Sequence, residues 1–563
     1  MRSIVIRLAM LLAGALLSQV GEGGAPPAMS ADLRFRVVPA LDSFRHNKCA
    51  SGRRYLVETM GSGVGLLDFD TDGDLDVFLL QGAPLAAPAV QPANNSAALG
   101  NRLFANDGAG NFTDISAACG LGADRAFGMG CAIGDIDNDG DPDIYVTNFG
   151  CDRLYRNDAG HFVEVSAAAG IVDDDWGSSA AFADFDDDSD LDLFVVNYLD
   201  FTIAKHKECT LGNGVPAYCS PDAYDGVANR IYRNDGAGRF TDVTRACGID
   251  RHKGKGLGVV CGDFDRDGRI DVYIANDGIA NQLLINRGEW KFEDATMEAA
   301  VGYNDDGLAL AGMGVAAGDL NGDGLAELFI TNLSSEINTL HVADGVGRFR
   351  DGTARARLGF PSLPFTGFGT NFGDYDLDGD LDIFVANGHV IDNIREFNDA
   401  LSYEQPNQFF LNRGNGVFDD VTKSAVVDAP APRTGRGSAV GDLDADGDLD
   451  LVVSNCDAQP FLYRNITPST GRNWLGLRLV GTISNRDAVG ARVELDVGER
   501  RMTREIFGGG SYLSASELAV HFGLGAATSI AKLTITWPSG QQQVVEQVGI
   551  NQRLTLTEPR SKP

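Results

Sequence analysis

Basic residues are scarce in this chain. Forty-six Lys and Arg stand against 79 Asp and Glu, a formal net charge of −33 at pH 7 over 563 residues. That imbalance excludes polyanions as natural partners, both nucleic acid and anionic membrane surfaces, and favours cations. Histidine is scarce too, with seven in all, and none forms the HExxH pair of a helix-borne zinc site. The sequence has no GxSxG elbow, no P-loop and no GxGxxG unit after a strand, so the common hydrolase, NTPase and dinucleotide signatures are missing. "GFGTNFG" (367–373) and "GGGSYLS" (508–514) are rich in glycine but lack the lysine and setting of a phosphate cradle. Beyond the N-terminal stretch, no segment reads as membrane-spanning.

The N-terminal stretch itself, "MRSIVIRLAMLLAGALLSQVGEGGAPPAMSA", has Arg2 and Arg7, an apolar run from Leu8 to Leu17, then small residues. This is the pattern of a secretory signal peptide, and residues 1–25 are set aside from the fold. No cysteine follows the run, which argues against a lipid anchor. Export makes disulfides available. Nine cysteines leave at least one without an intramolecular partner. Cys119 and Cys247 share a repeat phase, and Cys131 and Cys261 precede the next acidic motif on one strand face. Bridges 119–131 and 247–261 are therefore expected. Cys209 and Cys219 are expected to pair within one insertion, while Cys49, Cys151 and Cys456 stay unassigned.

Seventy glycines are dispersed through the chain, as many short strands and tight turns require. One acidic nonapeptide recurs seven times: "DFDTDGDLD" from Asp68, "DIDNDGDPD" from Asp135, "DFDDDSDLD" from Asp184, "DFDRDGRID" from Asp263, "DLNGDGLAE" from Asp319, "DYDLDGDLD" from Asp374 and "DLDADGDLD" from Asp442. A Gly-rich apolar segment usually precedes each copy, and a β-branched strand follows. A second phrase comes next, such as "LYRNDAGHFVEVS" or "FFLNRGNGVFDDVT", reading as strand, Asn-Asp-Gly-type turn, strand. Each unit thus holds about four short strands, which cannot bury both faces alone. The expected fold is all-β: a seven-bladed β-propeller over 30–467, then a small β-sandwich-like module over 472–558. The seventh copy ends at "FLYRNIT" without a closing strand. "LRFRVVPAL" (33–41) is the candidate that completes it and closes the ring.

Alternating carboxylates repel unless something sits among them. A tight loop with oxygen side chains at positions 1, 3, 5 and 9 and a carbonyl at 7 wraps a hard cation of calcium's size, with Gly at 6 for the turn. The expected metal ligands are Asp68, Asp70, Asp72, Asp74 and Asp76; Asp135, Asp137, Asp139, Asp141 and Asp143; Asp184, Asp186, Asp188, Asp190 and Asp192; Asp263, Asp265, Asp267, Arg269 and Asp271; Asp319, Asn321, Asp323, Leu325 and Glu327; Asp374, Asp376, Asp378, Asp380 and Asp382; and Asp442, Asp444, Asp446, Asp448 and Asp450. Arg269 and Leu325 stand where only the backbone is needed. No Glu occupies position 12 and strands flank the loops, so these are not EF-hands. Up to seven Ca²⁺ ions are expected, structural rather than catalytic, because saturated loops leave no open position. No catalytic or other cofactor-binding residue is assigned.

Three insertions, Gly82–Gly100, Leu199–Ala228 and Gly388–Pro406, follow the post-motif strand and should emerge on one face. They carry Lys205, His206, Lys207, Tyr218 and Tyr224, and His389, Arg395 and Tyr403, a candidate surface for a protein or glycan ligand.

After "NITPSTGRN" the acidic repeats stop and alternating strands begin. "NRDAVGARVEL" (485–495), "GGGSYLSASELAVHFGLG" (508–525) and "ITWPSGQQQ" (535–543) resemble the ASPIC/UnbV domain. The repeats resemble FG-GAP/VCBS units, and "YLVETMGSGVGLLDFDTDGDLDVFLLQG" (55–82) is similar to the cartilage acidic protein-like family. The resemblance covers nearly the whole mature chain. It implies a secreted calcium-binding propeller with loops like those of the integrin α-subunit head, and no settled activity. Ser189 for Gly and the altered fifth motif depart from the pattern. Arg486, Asp487, Arg492 and His521 are the module's most chemically interesting residues, suited to a small ligand or to interdomain contacts. The reading is a secreted scaffold or adhesion protein. The alternative is an enzyme or accessory factor in a secondary-metabolite (enediyne-like) or polysaccharide pathway.

Overall fold

The computed structural model describes residues 33–85, 99–122, 124–211 and 214–560. The expected signal peptide and most of the first insertion lie outside them. The described residues form one compact unit.

Seven sheets, antiparallel but for one short pairing, succeed one another along the chain. The first is built of Val64–Leu67, Asp76–Leu79, Arg102–Asn106 and Phe112–Asp114, paired in chain order. Each later sheet repeats the plan from its own Gly-rich opening strand: Phe127–Gly134, Gly177–Ala183, Gly256–Gly262, Val315–Gly318, Gly367–Gly373 and Gly435–Gly441. The acidic turn joins the first strand to the second. In the seventh sheet the outer strand comes from the other end of the chain. Phe35–Val38 pairs antiparallel with Phe461–Asn465, Phe35 opposite Asn465, and parallel with Val426–Val427.

Opening strands pack in cyclic order, and the seventh packs back on the first. Each sheet face is thereby covered by a neighbour. Between sheets 1 and 2, for instance, Leu67, Phe78, Leu103, Ile144, Val146 and Phe162 form one buried cluster.

An asparagine reinforces six of the seven junctions. Asn157 Nδ2 donates to Phe69 O at 2.7 Å, Asn234 to Ile136 O at 2.8 Å and Asn286 to Phe185 O at 2.8 Å. Asn412 donates to Leu320 O at 3.0 Å, Asn465 to Tyr375 O at 2.9 Å and Asn106 to Leu443 O at 2.8 Å. Every acceptor is the second residue of an acidic motif in the preceding sheet. Sheet 5 has Ala343 at the asparagine's place, and there the Gly347 N–H reaches Phe264 O at 3.1 Å instead.

The C-terminal module packs a three-stranded sheet (Val520–Gly525, Asn473–Val480, Gln552–Thr557) against a four-stranded one (Arg500–Glu505, Arg492–Val497, Lys532–Thr536, Gln542–Val545). Leu475, Leu477, Val493, Leu495, Phe522, Ile535 and Trp537 fill the space between.

The module does not sit apart from the ring. Its segment 508–516 fills the hub and bonds to the opening strand of all seven sheets. Ala515 N–H donates to Val64 O at 3.0 Å, and Cys131 N–H to Leu513 O at 3.2 Å. Leu513 N–H donates to Ser179 Oγ at 3.0 Å, and Gly510 N–H to Val259 O at 2.8 Å. Val315 N–H donates to Ser511 O at 3.0 Å, Thr370 N–H to Ser511 Oγ at 3.3 Å, and Ser511 Oγ to Ser438 O at 2.7 Å. This gives the glycines in and just before the opening strands a second purpose beyond turns. A Cβ on Gly63 would stand 1.5 Å from Leu513 O, and one on Gly130 2.9 Å from Leu513 Cα.

Two expected disulfides are corrected. Cys209–Cys219 is a bridge, but Cys119, Cys131, Cys247 and Cys261 are free buried thiols. The reason is the width of a sheet. Cys119 lies at the outer edge of sheet 2, where its carbonyl accepts the Phe162 N–H at 2.7 Å, while Cys131 is on that sheet's innermost strand. Three strand spacings of about 4.8 Å separate those edges, twice the Cα reach of a disulfide. Cys247 likewise follows an outermost strand and Cys261 lies on an innermost one.

Candidate metal centre: the acidic loops

Within each nonapeptide the positions divide their work. Position 9 is a buried clamp. Asp143 Oδ2 accepts the Ile136 N–H at 2.9 Å and Oδ1 accepts the Asn157 N–H at 2.7 Å. The same pair of bonds recurs at Asp76, Asp192, Asp271 and Asp382. One carboxylate thus ties its loop both to itself and to the third strand. Position 1 closes the turn. Asp135 Oδ2 accepts the Gly140 N–H at 2.8 Å, and Asp184 Oδ2 accepts the Ser189 N–H at 2.9 Å. Ser189 holds φ at 80° where its counterparts have glycine, and its hydroxyl bonds to Ile483 O of the module. Position 5 makes an Asx turn on position 7, as when Asp141 N–H donates to Asp139 Oδ1 at 3.0 Å.

The folding of these turns brings positions 1, 3 and 9 together in the first four loops: Asp68, Asp70 and Asp76; Asp135, Asp137 and Asp143; Asp184, Asp186 and Asp192; Asp263, Asp265 and Asp271. In each, ligand oxygens lie within 4.8 Å of one another. In the sixth, Asp374, Asp376 and Asp378 do so. Position 7 side chains turn elsewhere: Asp141 to the Ala159 N–H at 2.9 Å, Asp190 to Asn138 at 2.7 Å, Asp380 to Arg500 and Arg269 to Asp267. The fifth loop closes on itself, Asn321 Nδ2 donating to Glu327 Oε1 at 2.7 Å.

Two physical features fit these loops to a hard cation. First, carboxylate oxygens are left buried without a hydrogen-bond partner. They are Oδ1 of Asp68, Asp374 and Asp442 at position 1, Oδ1 of Asp137, Asp186, Asp265 and Asp444 at position 3, and Oδ2 of Asp450 at position 9. Buried polar atoms need a partner, and oxygen-only clusters suit calcium. Second, burial pushes the position 9 carboxyls up, to about 7 for Asp76 and about 8 for Asp143, Asp271 and Glu327. Asp135 and Asp184 at position 1 rise to about 7, chiefly through burial. Burial thus disfavours the charged form of these groups, and a bound cation would favour it.

The module seats on the face that carries the acidic loops. Arg478 pairs with Asp68 at 3.3 Å, Arg486 with Asp135 at 3.4 Å and Arg472 with Asp376 at 3.1 Å. Asp487 accepts the Asp135 N–H at 2.8 Å, Arg492 reaches Gly324 O at 3.4 Å and His521 Nε2 bonds Gly447 O at 2.9 Å. The four residues singled out in the module therefore serve interdomain contacts.

On the insertion side, the Lys48 ammonium lies 5.8 Å from the Tyr218 ring and 5.6 Å from that of Tyr403, with Asp392 at 3.6 Å and Asp457 at 3.7 Å. Glu58, fully buried, accepts from Tyr218 Oη at 3.0 Å. The two described insertions are thus fastened to the segment just before sheet 1. Among the described residues no helix is long and apolar enough to cross a membrane.

A family model described as an FG-GAP-like repeat matches six stretches, 68–146, 135–195, 217–274, 263–330, 319–385 and 398–453, and one described as ASPIC and UnbV matches 481–563. Cartilage acidic protein 1 of Xenopus tropicalis is 26% identical over 460 residues, 77% of this chain and 64% of that protein. The Homo sapiens protein of that name is 29% identical over 333 residues, 57% of this chain and 47% of its own length. The chain thus spans less than two thirds of these curated relatives. A solved structure titled for recognition of non-reducing terminal N-acetylglucosamine by an Agrocybe aegerita lectin aligns at TM-score 0.39 and 16% identity, over 70% of this chain and 86% of that one. At that distance it carries no weight.

Proposed function

The chain belongs to the FG-GAP-like repeat family and carries a C-terminal ASPIC and UnbV domain, and from that we propose a secreted, calcium-stabilised, seven-bladed propeller that serves as a non-catalytic scaffold or ligand-binding protein. The observation that carries the calcium reading is the set of buried, partnerless carboxylate oxygens at positions 1 and 3 of the acidic loops. Asp, Asn and Glu side chains at positions 1, 3, 5 and 9 would hold the ions, which supply positive charge to turns that otherwise repel themselves. Affinity is expected near the extracellular range, roughly 10⁻⁴–10⁻³ M. The disulfide at Cys209–Cys219 suits an oxidising compartment.

The filled hub favours the scaffold over the enzyme reading, because segment 508–516 occupies the place where a propeller would otherwise offer a central mouth. The partner, a protein or glycan, is expected on the insertion face around Lys48, Tyr218 and Tyr403. Elemental analysis of the purified protein should find calcium in several-fold molar excess over chain, and none would overturn the reading. A glycan array and a pull-down with the intact protein, calcium-loaded and chelated, test the partner class.

A further inference from the structure

The acidic loops are not all alike. In loops 1, 2 and 6 the position 1 aspartate shares one oxygen with the C-terminal module. Asp68 Oδ2 accepts the loop's own Gly73 N–H at 3.2 Å and Arg478 Nη1 at 3.3 Å. Asp135 Oδ2 accepts the Gly140 N–H at 2.8 Å and faces Arg486 Nε at 3.4 Å. Asp374 Oδ2 accepts N–H groups from Gly379 and from Gly523 of the module, both at 2.8 Å. The other oxygen, Oδ1, is buried and partnerless in Asp68 and Asp374, and in Asp135 accepts only the Asp139 N–H. The two oxygens of one carboxylate therefore face different ways, Oδ2 towards the module and Oδ1 into the loop.

We propose that Arg478 and Arg486 are positioning residues for the cation sites of the first two loops: each holds the outer oxygen of a position 1 aspartate so that the inner one is fixed for the ion. Outer partners of metal-binding carboxylates commonly change affinity 10–100-fold when removed. The proposal rests on the calcium reading above. It also has a sign of its own. On Coulomb grounds alone, deleting a positive charge beside a dication should tighten the site. Bracing predicts the opposite.

The test is a calorimetric calcium titration of the full, calcium-stripped chain, comparing wild type with R478A, R486A and the double variant. R501A is the control, since Arg501 pairs with Asp496 inside the module. The Arg478 and Arg486 side chains are 45% and 42% exposed, so calcium-free melting should stay at the wild-type value. Each single variant should weaken one site by about tenfold or more, the double variant two, with the remaining sites and total stoichiometry unchanged. R478K and R486K should recover part of the loss. Unchanged or tighter binding in the alanine variants, with a wild-type chain that does bind, overturns the bracing alone. A wild-type chain that takes up no calcium overturns the reading beneath it.

Discussion

Asn157 shows how much rests on one side chain that carries no charge. Its amide bridges two sheets while its backbone N–H is held by Asp143. N157A should leave the Phe69 carbonyl buried and unpaired, at a cost of about 1–3 kcal/mol, read as a lower denaturant midpoint with unchanged slope. The carboxylates beside it are legible from sequence because alternation and repetition single them out. The asparagines are equally repetitive, at 106, 157, 234, 286, 412 and 465, but they sit where a turn also favours Asn, and a turn residue is all that local sequence makes of them. Their acceptors lie in the preceding sheet. Histidines give a second residue-scale expectation. Burial lowers His46, His341, His389 and His521 to about 4. Unfolded histidine titrates near 6.5, so below that value the unfolded chain binds more protons than the folded one. This contribution to stability is complete above pH 6.5 and falls as pH drops from there to about 4. In denaturant titrations of the calcium-free protein at pH 7 and 5, where buried carboxyls shift stability in the opposite sense, the histidine share should appear as a difference: the change from pH 7 to 5 should be more favourable in H341N than in wild type.

Among the elements, the strand Phe35–Val38 joins a sheet far from its place in chain order, at the other end of the repeats. It was legible because the seventh repeat lacks a strand and an orphan strand of the right pattern precedes the first. Deleting residues 33–41 should lower the melting temperature of the whole ring in a single transition rather than fray one sheet, as calorimetry would record. A separate low-temperature transition would count against closure. Segment 508–516 was not legible. Three glycines and four residues of small or hydroxyl type suit any close backbone approach, and nothing local names the seven strands they approach. The failed disulfides have the same origin. Repeat phase places Cys119 and Cys131 near one another along the chain, but strand order puts a whole sheet between them.

For the whole molecule, the governing quantity is charge. Seven dications would leave about −19 of the formal −33. Removing calcium should lower the melting temperature, because ligand bound only by the folded state adds stability by mass action. The pH dependence has a definite sign. In the calcium-free fold, carboxyls such as Asp143 and Asp271 are raised to about 8, well above their unfolded value near 3.8. Their contribution without metal is full below pH 4 and lost as pH rises towards 8. Calcium binds the ionised form, so the rise in melting temperature on adding calcium should be larger at pH 8 than at pH 5. A gain that is equal or smaller at the higher pH would show that the ion does not replace those protons.

The hub has a consequence for biosynthesis. A polypeptide emerging from its N-terminal side exposes seven sheets and an empty axle before residues 508–516 exist to occupy it. The closing strand at 35–38 must also wait for 461–465. Nascent chains of this protein therefore cannot lock sheet by sheet. A product cut short before residue 508 would carry an unlined bore of unpaired backbone groups, a ready substrate for quality-control proteases.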